Sequence, residues 1–237
     1  MMKRITFSFL LFSMAISVSA INGFGIDGNL VAGLNGDEMV YNPSIDGRIQ
    51  WNDYFSSSLG IGLLNSGVKD IWSNETETSS TFTTYRLSSN STTPTLHLSL
   101  RGQVFLFETH GFPFYLYAEP KITFVTSSSR KLNLNELSYE KGTNPQTGEN
   151  TYTLTGEPVY NYITSPNHQD FYGSLSGGIS VELKDNVELA LGYGYTNIDV
   201  FKYVRDKSIN GSALQNHLPG AGFQLISIGI RVNYSVE

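Results

Sequence analysis

The chain has 237 residues, no cysteine, and a formal net charge of −6 from 15 basic and 21 acidic side chains. That balance argues against a nucleic-acid partner, which wants a basic face, and the missing cysteines exclude a disulfide framework and a lipidated-Cys anchor. Only 15% of residues are charged, while aromatics reach 13% and Gly numbers 23, the profile of a β protein with many tight turns and close backbone approaches.

Residues 1–20 read as an export signal. Lys3 and Arg4 form a short basic start, Ile5 to Val18 an apolar core, and Val18-Ser-Ala20 offers small residues for cleavage. Residues 21–237 then form one domain. The apolar core is too short for a spanning helix, and no later segment approaches the roughly 20 apolar residues such a helix needs.

Beyond the leader no segment sustains a 3.6-residue period. Period-two alternation recurs instead, broken by turn residues. Eight long strands are expected: Gly23 to Leu34, Ser44 to Asn52, Phe55 to Leu64, Thr93 to Phe107, Phe112 to Thr126, Asp170 to Leu183, Val187 to Phe201 and Phe223 to Val236. Most reach the roughly nine to eleven residues that cross a bilayer at a tilt. Short connections rich in Asn, Asp or Gly (Asn52 to Phe55, Glu108 to Gly111, Lys184 to Asn186) alternate with long polar ones at Asn35 to Pro43 and at 65–92, 127–169 and 202–222. Short turns on one rim and long loops on the other outline an all-β, closed, up-and-down antiparallel transmembrane β-barrel of eight strands, with both termini on the short-turn side. Leu137 to Leu154, with a turn at Asn144 to Gly148, reads as a hairpin; placing it in the barrel wall gives ten strands as the alternative.

The composition of the polar face decides which face looks inward. It is short-limbed: Gly60 and Gly62, Ser174, Ser176, Gly178 and Ser180, Ala190, Gly192 and Gly194, Ser227 and Gly229. Glycine weakens a strand unless something needs the space, and the narrow lumen of an eight-strand barrel supplies that need. The longer polar residues on those faces balance in sign. Asp27, Asp46, Glu119, Glu182 and Glu188 oppose Arg48, Arg101, Lys121 and Arg231. Buried charges must pair, so these nine are read as an interior network, with Arg101 expected against an acid such as Glu119. The opposite faces, such as Leu189, Leu191 and Tyr193 or Ile226, Ile228 and Ile230, look to lipid. Trp51, Tyr54, Phe55, Phe112 and Tyr234 fall near strand ends, where an aromatic girdle lies.

On these residues the exported chain resembles the small outer-membrane β-barrel proteins of Gram-negative bacteria, the OmpA/OmpX-like group. The final strand, Phe223 to Val236, looks like that group's assembly signal, although the group usually ends on Phe and here Tyr234 is followed by Ser-Val-Glu. The resemblance implies an outer-membrane location, contact with outer-membrane lipid and lipopolysaccharide, and recognition by the barrel assembly machinery. It implies a non-enzymatic protein with a structural and surface-contact or adhesion role through the external loops 65–92, 127–169 and 202–222. A porin-like diffusion channel is the alternative. Tyr139, Tyr152, Tyr160 and Tyr162, with Tyr172 beside them, are candidates for recognising an extracellular ligand, or for a hairpin that packs on itself.

One pattern has catalytic logic. His97 and Ser99 are two apart on one strand, so an imidazole is placed beside a hydroxyl as its base, and Glu119 on the next strand is positioned to orient the histidine. Outer-membrane lipid A deacylases carry a similar His-x-Ser pair, but facing lipid. Here the alternation sends both residues inward with Arg101, so hydrogen-bonded filling is the expected role and a lipid A-modifying hydrolase is the less favoured reading. His110, His168 and His217 fall at unrelated spacings, and no phosphate loop or dinucleotide fingerprint appears. No metal or cofactor is expected.

Overall fold

A computed structural model describes residues 21–35, 38–68, 73–126, 130–157, 159–165, 169–183, 186–209, 212–216, 218 and 220–235. The leader, 1–20, lies outside the described residues. The strands are β1 (Gly23–Asn35), β2 (Glu38–Gln50), β3 (Phe55–Val68), β4 (Ser73–Glu77), β5 (Thr81–Thr109), β6 (Phe112–Val125), β7 (Arg130–Thr143), β8 (Asn150–Leu154), β9 (Val159–Ser165), β10 (Phe171–Glu182), β11 (Val187–Thr196), β12 (Ser208–Ile209), β13 (Ser212–Ala213) and β14 (Phe223–Ser235). Eight of them close a barrel in the order β3-β2-β1-β14-β11-β10-β6-β5, and β5 pairs back onto β3. Every pair in the wall is antiparallel.

Closure depends on turn chemistry at one rim. Asn52 Oδ1 accepts the N–H groups of Tyr54 and Phe55, both at 2.8 Å, folding the β2–β3 connection. His110 and Gly111 both take positive φ, 52° and 79°, as the tightest hairpin turns require. The start of β1 and the end of β14 meet on this same rim, with Gly23 opposite Ser235.

The barrel is apolar outward. Ile45, Ile61 and Leu191 are 64%, 67% and 61% exposed, whereas Asp46 and Arg231, on lumen faces, are 1% and 3% exposed. A closed wall satisfies its own backbone, so lipid is the solvent that suits this surface, and the chain is a transmembrane β-barrel. Ile45, midway along β2 between Gly28 and Ile61, tests this. Ile45→Arg is expected to cost about 2–4 kcal/mol, the usual penalty of a midplane cation on the lipid face. Urea unfolding in lipid vesicles, followed by tryptophan fluorescence, measures it.

Several expected boundaries move. β2 begins at Glu38 rather than Ser44, because Met39-Val40-Tyr41 continues the alternation and Asn35 pairs with Glu38. Strand pairing therefore takes up the expected Asn35 to Pro43 connection except for 36 and 37, which lie outside the described residues. β5 runs for 29 residues, pairing with β3 as far as Val68 opposite Ser89, so much of the expected loop 65–92 is strand. The ten-stranded alternative is not adopted. The 137–154 hairpin is β7 and β8, turning where Gly148 N–H donates to the Asn144 carbonyl, and it stands off the wall in an extension ordered β4-β5-β7. Both β8 and β9 pair with the far edge of β7.

The seventh wall strand, β11, ends at Thr196 instead of Phe201. The chain then folds across the mouth opposite the rim where β1 starts and β14 ends. Ile198, Val200, Phe201, Tyr203, Val204, Leu214 and Leu218 pack onto Val40, Leu64, Val125, Tyr172, Phe223 and Leu225 from the wall. Among the described residues this cap supplies seven of the sixteen buried apolar side chains, so the apolar core is shared between a connection and the strands. Asn35 Nδ2 donates to the Gly220 carbonyl at 2.9 Å, fastening it to β1.

Candidate functional site

The lumen below the cap is built by register. Asp27 on β1 stands opposite Arg231 on β14, and Arg231 opposite Glu188 on β11, so acid, base and acid form a row across three strands. On its other side Asp27 faces Asp46, a like-charged pair tolerable only because bases reach both. Arg48 Nε donates to Asp27 at 3.0 Å, and Lys121 Nζ lies 3.9 Å from Asp46.

These contacts join all the expected interior charges except Glu182. Arg231 donates to Glu119 at 2.8 Å and lies 3.8 Å from Asp27 and 3.7 Å from Glu188. Glu119 is 3.8 Å from Lys121. Arg101 pairs with Glu188 and donates to Ser180 at 2.8 Å, so its acid is Glu188 and not the expected Glu119. The reason is position: Arg231 and Lys121 already occupy Glu119. Glu182 stands apart, half-buried at the turn rim, accepting from Tyr115 Oη at 3.4 Å. Four acids and four bases remain, and the filled lumen is neutral.

Tyr117 is central and was not singled out from the sequence. The Arg101 guanidinium lies 3.8 Å from its ring centroid and that of Arg231 5.9 Å, so one ring serves two cations. The signal that might have located it is glycine. A Cβ on Gly192 would meet Tyr117 Oη at 2.2 Å, and one on Gly60 would meet Asp46 Oδ1 at 1.7 Å. Lumen glycines mark where large polar groups cross the barrel.

The catalytic pattern is not assembled. His97 uses Nε2 toward Thr95 Oγ1 and Nδ1 toward Thr123 Oγ1, both at 3.0 Å. Ser99 Oγ pairs with Ser58 Oγ at 2.7 Å, and Glu119 serves the network. All three lie inside, and no described hydrogen bond joins any two of them. Two cavities of about 40 Å³ each flank Lys121; one is lined by Asn42, His97 and Tyr172 beneath Ile198, the other by Tyr117, Glu119 and Arg231. A water needs at least about 10–15 Å³, so each has room for about three waters and for nothing the size of an acyl chain.

The loop tyrosines divide. Phe82 lies 5.9 Å from Tyr139 and 5.0 Å from Tyr152 between ring centroids, an aromatic cluster on the extension. Tyr160 is exposed on β9. The backbone of Tyr162 pairs with Asn133, but its side chain lies outside the described residues. Tyr172 is instead buried in the mouth, where its Oη accepts from Asn42 at 3.1 Å. His110 is in a turn, and His168 and His217 lie outside the described residues. Among the described residues no group of three or more His, Asp or Glu side chains is placed to hold a metal ion.

No family model matches the chain, and no curated protein matches it. Among solved structures it is similar to Neisserial surface protein A, at 13% identity and a TM-score of 0.39, covering 90% of this chain and 96% of that one. It is also similar to the N-terminal β-barrel domain of Pseudomonas aeruginosa OprF, at 11% identity and a TM-score of 0.34, covering 90% and 98%. The functional reading rests on the geometry of this chain.

Proposed function

We propose that the chain is an integral outer-membrane protein of a Gram-negative bacterium, a sealed and non-enzymatic barrel that supports an external contact surface. The observation that carries this reading is the filled lumen. Paired charges plug its lower part, and an apolar cap covers its upper mouth, which supports a barrel without solute flux or substrate entry. Above the rim the barrel raises the β4-β5-β7 extension with its aromatic cluster, which is the surface offered for adhesion or for an extracellular ligand. The apolar belt suits outer-membrane lipid and lipopolysaccharide, and the alternation of β14 suits recognition by the barrel assembly machinery after export by a cleaved leader.

Fractionation, planar-bilayer recording and surface labelling test this together. The expected result is heat-modifiable migration of an outer-membrane protein, no stepwise conductance, and labelling of 144–150 on intact cells. Recovery in the soluble periplasm overturns the location, and stable stepwise conductance transfers the reading to a diffusion channel. For the hydrolase alternative, Ser99→Ala loses one hydroxyl pair with Ser58, worth about 1 kcal/mol. Lipid A acylation, read by mass spectrometry, is expected to be identical with and without the substitution; a difference would restore catalysis.

A further inference from the structure

The cap covers a buried acid that the lumen network does not use. Glu38, the first residue of β2, faces inward beneath the cap with 3% exposure, and neither of its carboxylate oxygens has a hydrogen-bond partner among the described residues. Among the described residues two charged groups bear on it, both from the cap: Arg205, which attracts the carboxylate, and Asp199, which repels it. Arg205 is already held by Asp199 through two contacts, Nε to Oδ2 at 2.5 Å and Nη2 to Oδ1 at 2.9 Å. Across the hairpin Glu38 faces Asn35 of β1, which does not titrate. The titratable groups of the lumen below, His97 on β5, Lys121 on β6 and Tyr172 on β10, line the cavity under Ile198.

One cap guanidinium therefore stands against two described carboxylates. If both are ionised, the buried acid pair holds one negative charge that this guanidinium does not answer, and an unpaired buried charge is strongly unfavourable. A proton on Glu38 removes that charge without moving an atom of the cap. We propose that Glu38 is a proton-operated latch: the cap stays seated while Glu38 holds its proton and lifts from the mouth when the proton is lost to solvent. The sign follows from linkage. In the lifted form Glu38 meets water and behaves as an ordinary carboxyl with a pKa near ~4.3, whereas buried carboxyls titrate as high as about 8–9. The seated form binds the proton more tightly, so its advantage is complete in acid and is lost as pH rises.

The chain has no cysteine, so a single thiol reports the cap cleanly. Val204→Cys places it at a position with 0% exposure, and Thr153→Cys, on exposed β8, provides a reference that cancels the thiol's own titration. In the full-length barrel in vesicles, the ratio of alkylation rates is expected to rise at least tenfold between about pH 6 and about pH 9.5, the effect of roughly one unit of differential proton affinity. With Glu38→Gln the ratio is expected to stay low and flat. A flat ratio with Glu38 present, or the same rise in Glu38→Gln, overturns the proposal. Glu38→Met is a second neutral variant, with heat-modifiable migration as the folding check. Failure of both neutral variants to fold also overturns it, because a site that holds a protonated carboxyl accepts a neutral side chain of similar size.

Discussion

Arg231→Ala is expected to destabilise the barrel by about 3–5 kcal/mol, the scale set by breaking a buried ion pair from one side. Arg231 is 3% exposed and reaches Glu119, Asp27 and Glu188. Its removal leaves four acids against three bases in a closely packed lumen. Each acid retains a partner, Arg48 for Asp27, Lys121 for Glu119 and Arg101 for Glu188, yet one negative charge is left over with no cation to answer it. The Tyr117 ring also loses one of its two guanidinium neighbours. Urea unfolding in vesicles gives the magnitude, and heat-modifiable migration shows whether assembly still completes. A companion variant separates charge from packing. Arg231→Met with Glu119→Gln removes one base and one acid together, restores neutrality, and is expected to recover at least half of the loss. A double variant as unstable as Arg231→Ala would mean that the network matters through its shape and not its charge.

How much of this was legible in the sequence follows from what period-two alternation encodes. Alternation states which residues share a side of a strand, and the short-limbed composition of the polar side then assigns Asp27, Arg48, Arg101 and Arg231 to the lumen. It carries no information about neighbours across the barrel. The sequence therefore suggests Glu119 on the adjacent strand for Arg101, whereas its partner Glu188 lies across the lumen and comes near only after closure. The same gap explains Tyr117. Its side is given by alternation, but its place between two guanidinium groups depends on Gly192 standing opposite. The cap was missed for a different reason. Ile198, Val200 and Val204 look like the end of a strand or a polar loop carrying a few apolar residues, and only the open mouth explains why they are buried. The start of β2 is expected at Ser44 because Asn35 to Pro43 reads as one polar connection. Pro43 faces outward in the wall, and the ladder continues on both sides of it.

Gly60→Ala is expected to cost about 2–3 kcal/mol, a large effect for one methyl group, at the upper end of what overpacking a filled interior costs. Gly60 lies on β3 between Asp46 of β2 and His97 of β5. An added Cβ would meet Asp46 Oδ1 at 1.7 Å, its Cγ at 2.5 Å and the Ile45 carbonyl oxygen at 2.6 Å. The backbone oxygen retreats only by disturbing the β2–β3 ladder. The carboxylate has little freedom either, since it accepts from Asn29 at 2.7 Å and Ser44 at 3.1 Å and faces Lys121 at 3.9 Å. Asp46→Ser in the same chain removes the closest clash but not the carbonyl contact, so the double variant is expected to be less destabilised than the two single losses added together. Gly28→Ala provides the control. Gly28 is on the outward face of β1, and an added Cβ there has nothing within 4 Å, so its effect is expected to stay within about 0.5 kcal/mol. Equal costs at the two glycines, measured by the same vesicle unfolding, would contradict the account in which lumen glycines make room for the charges that fill the barrel.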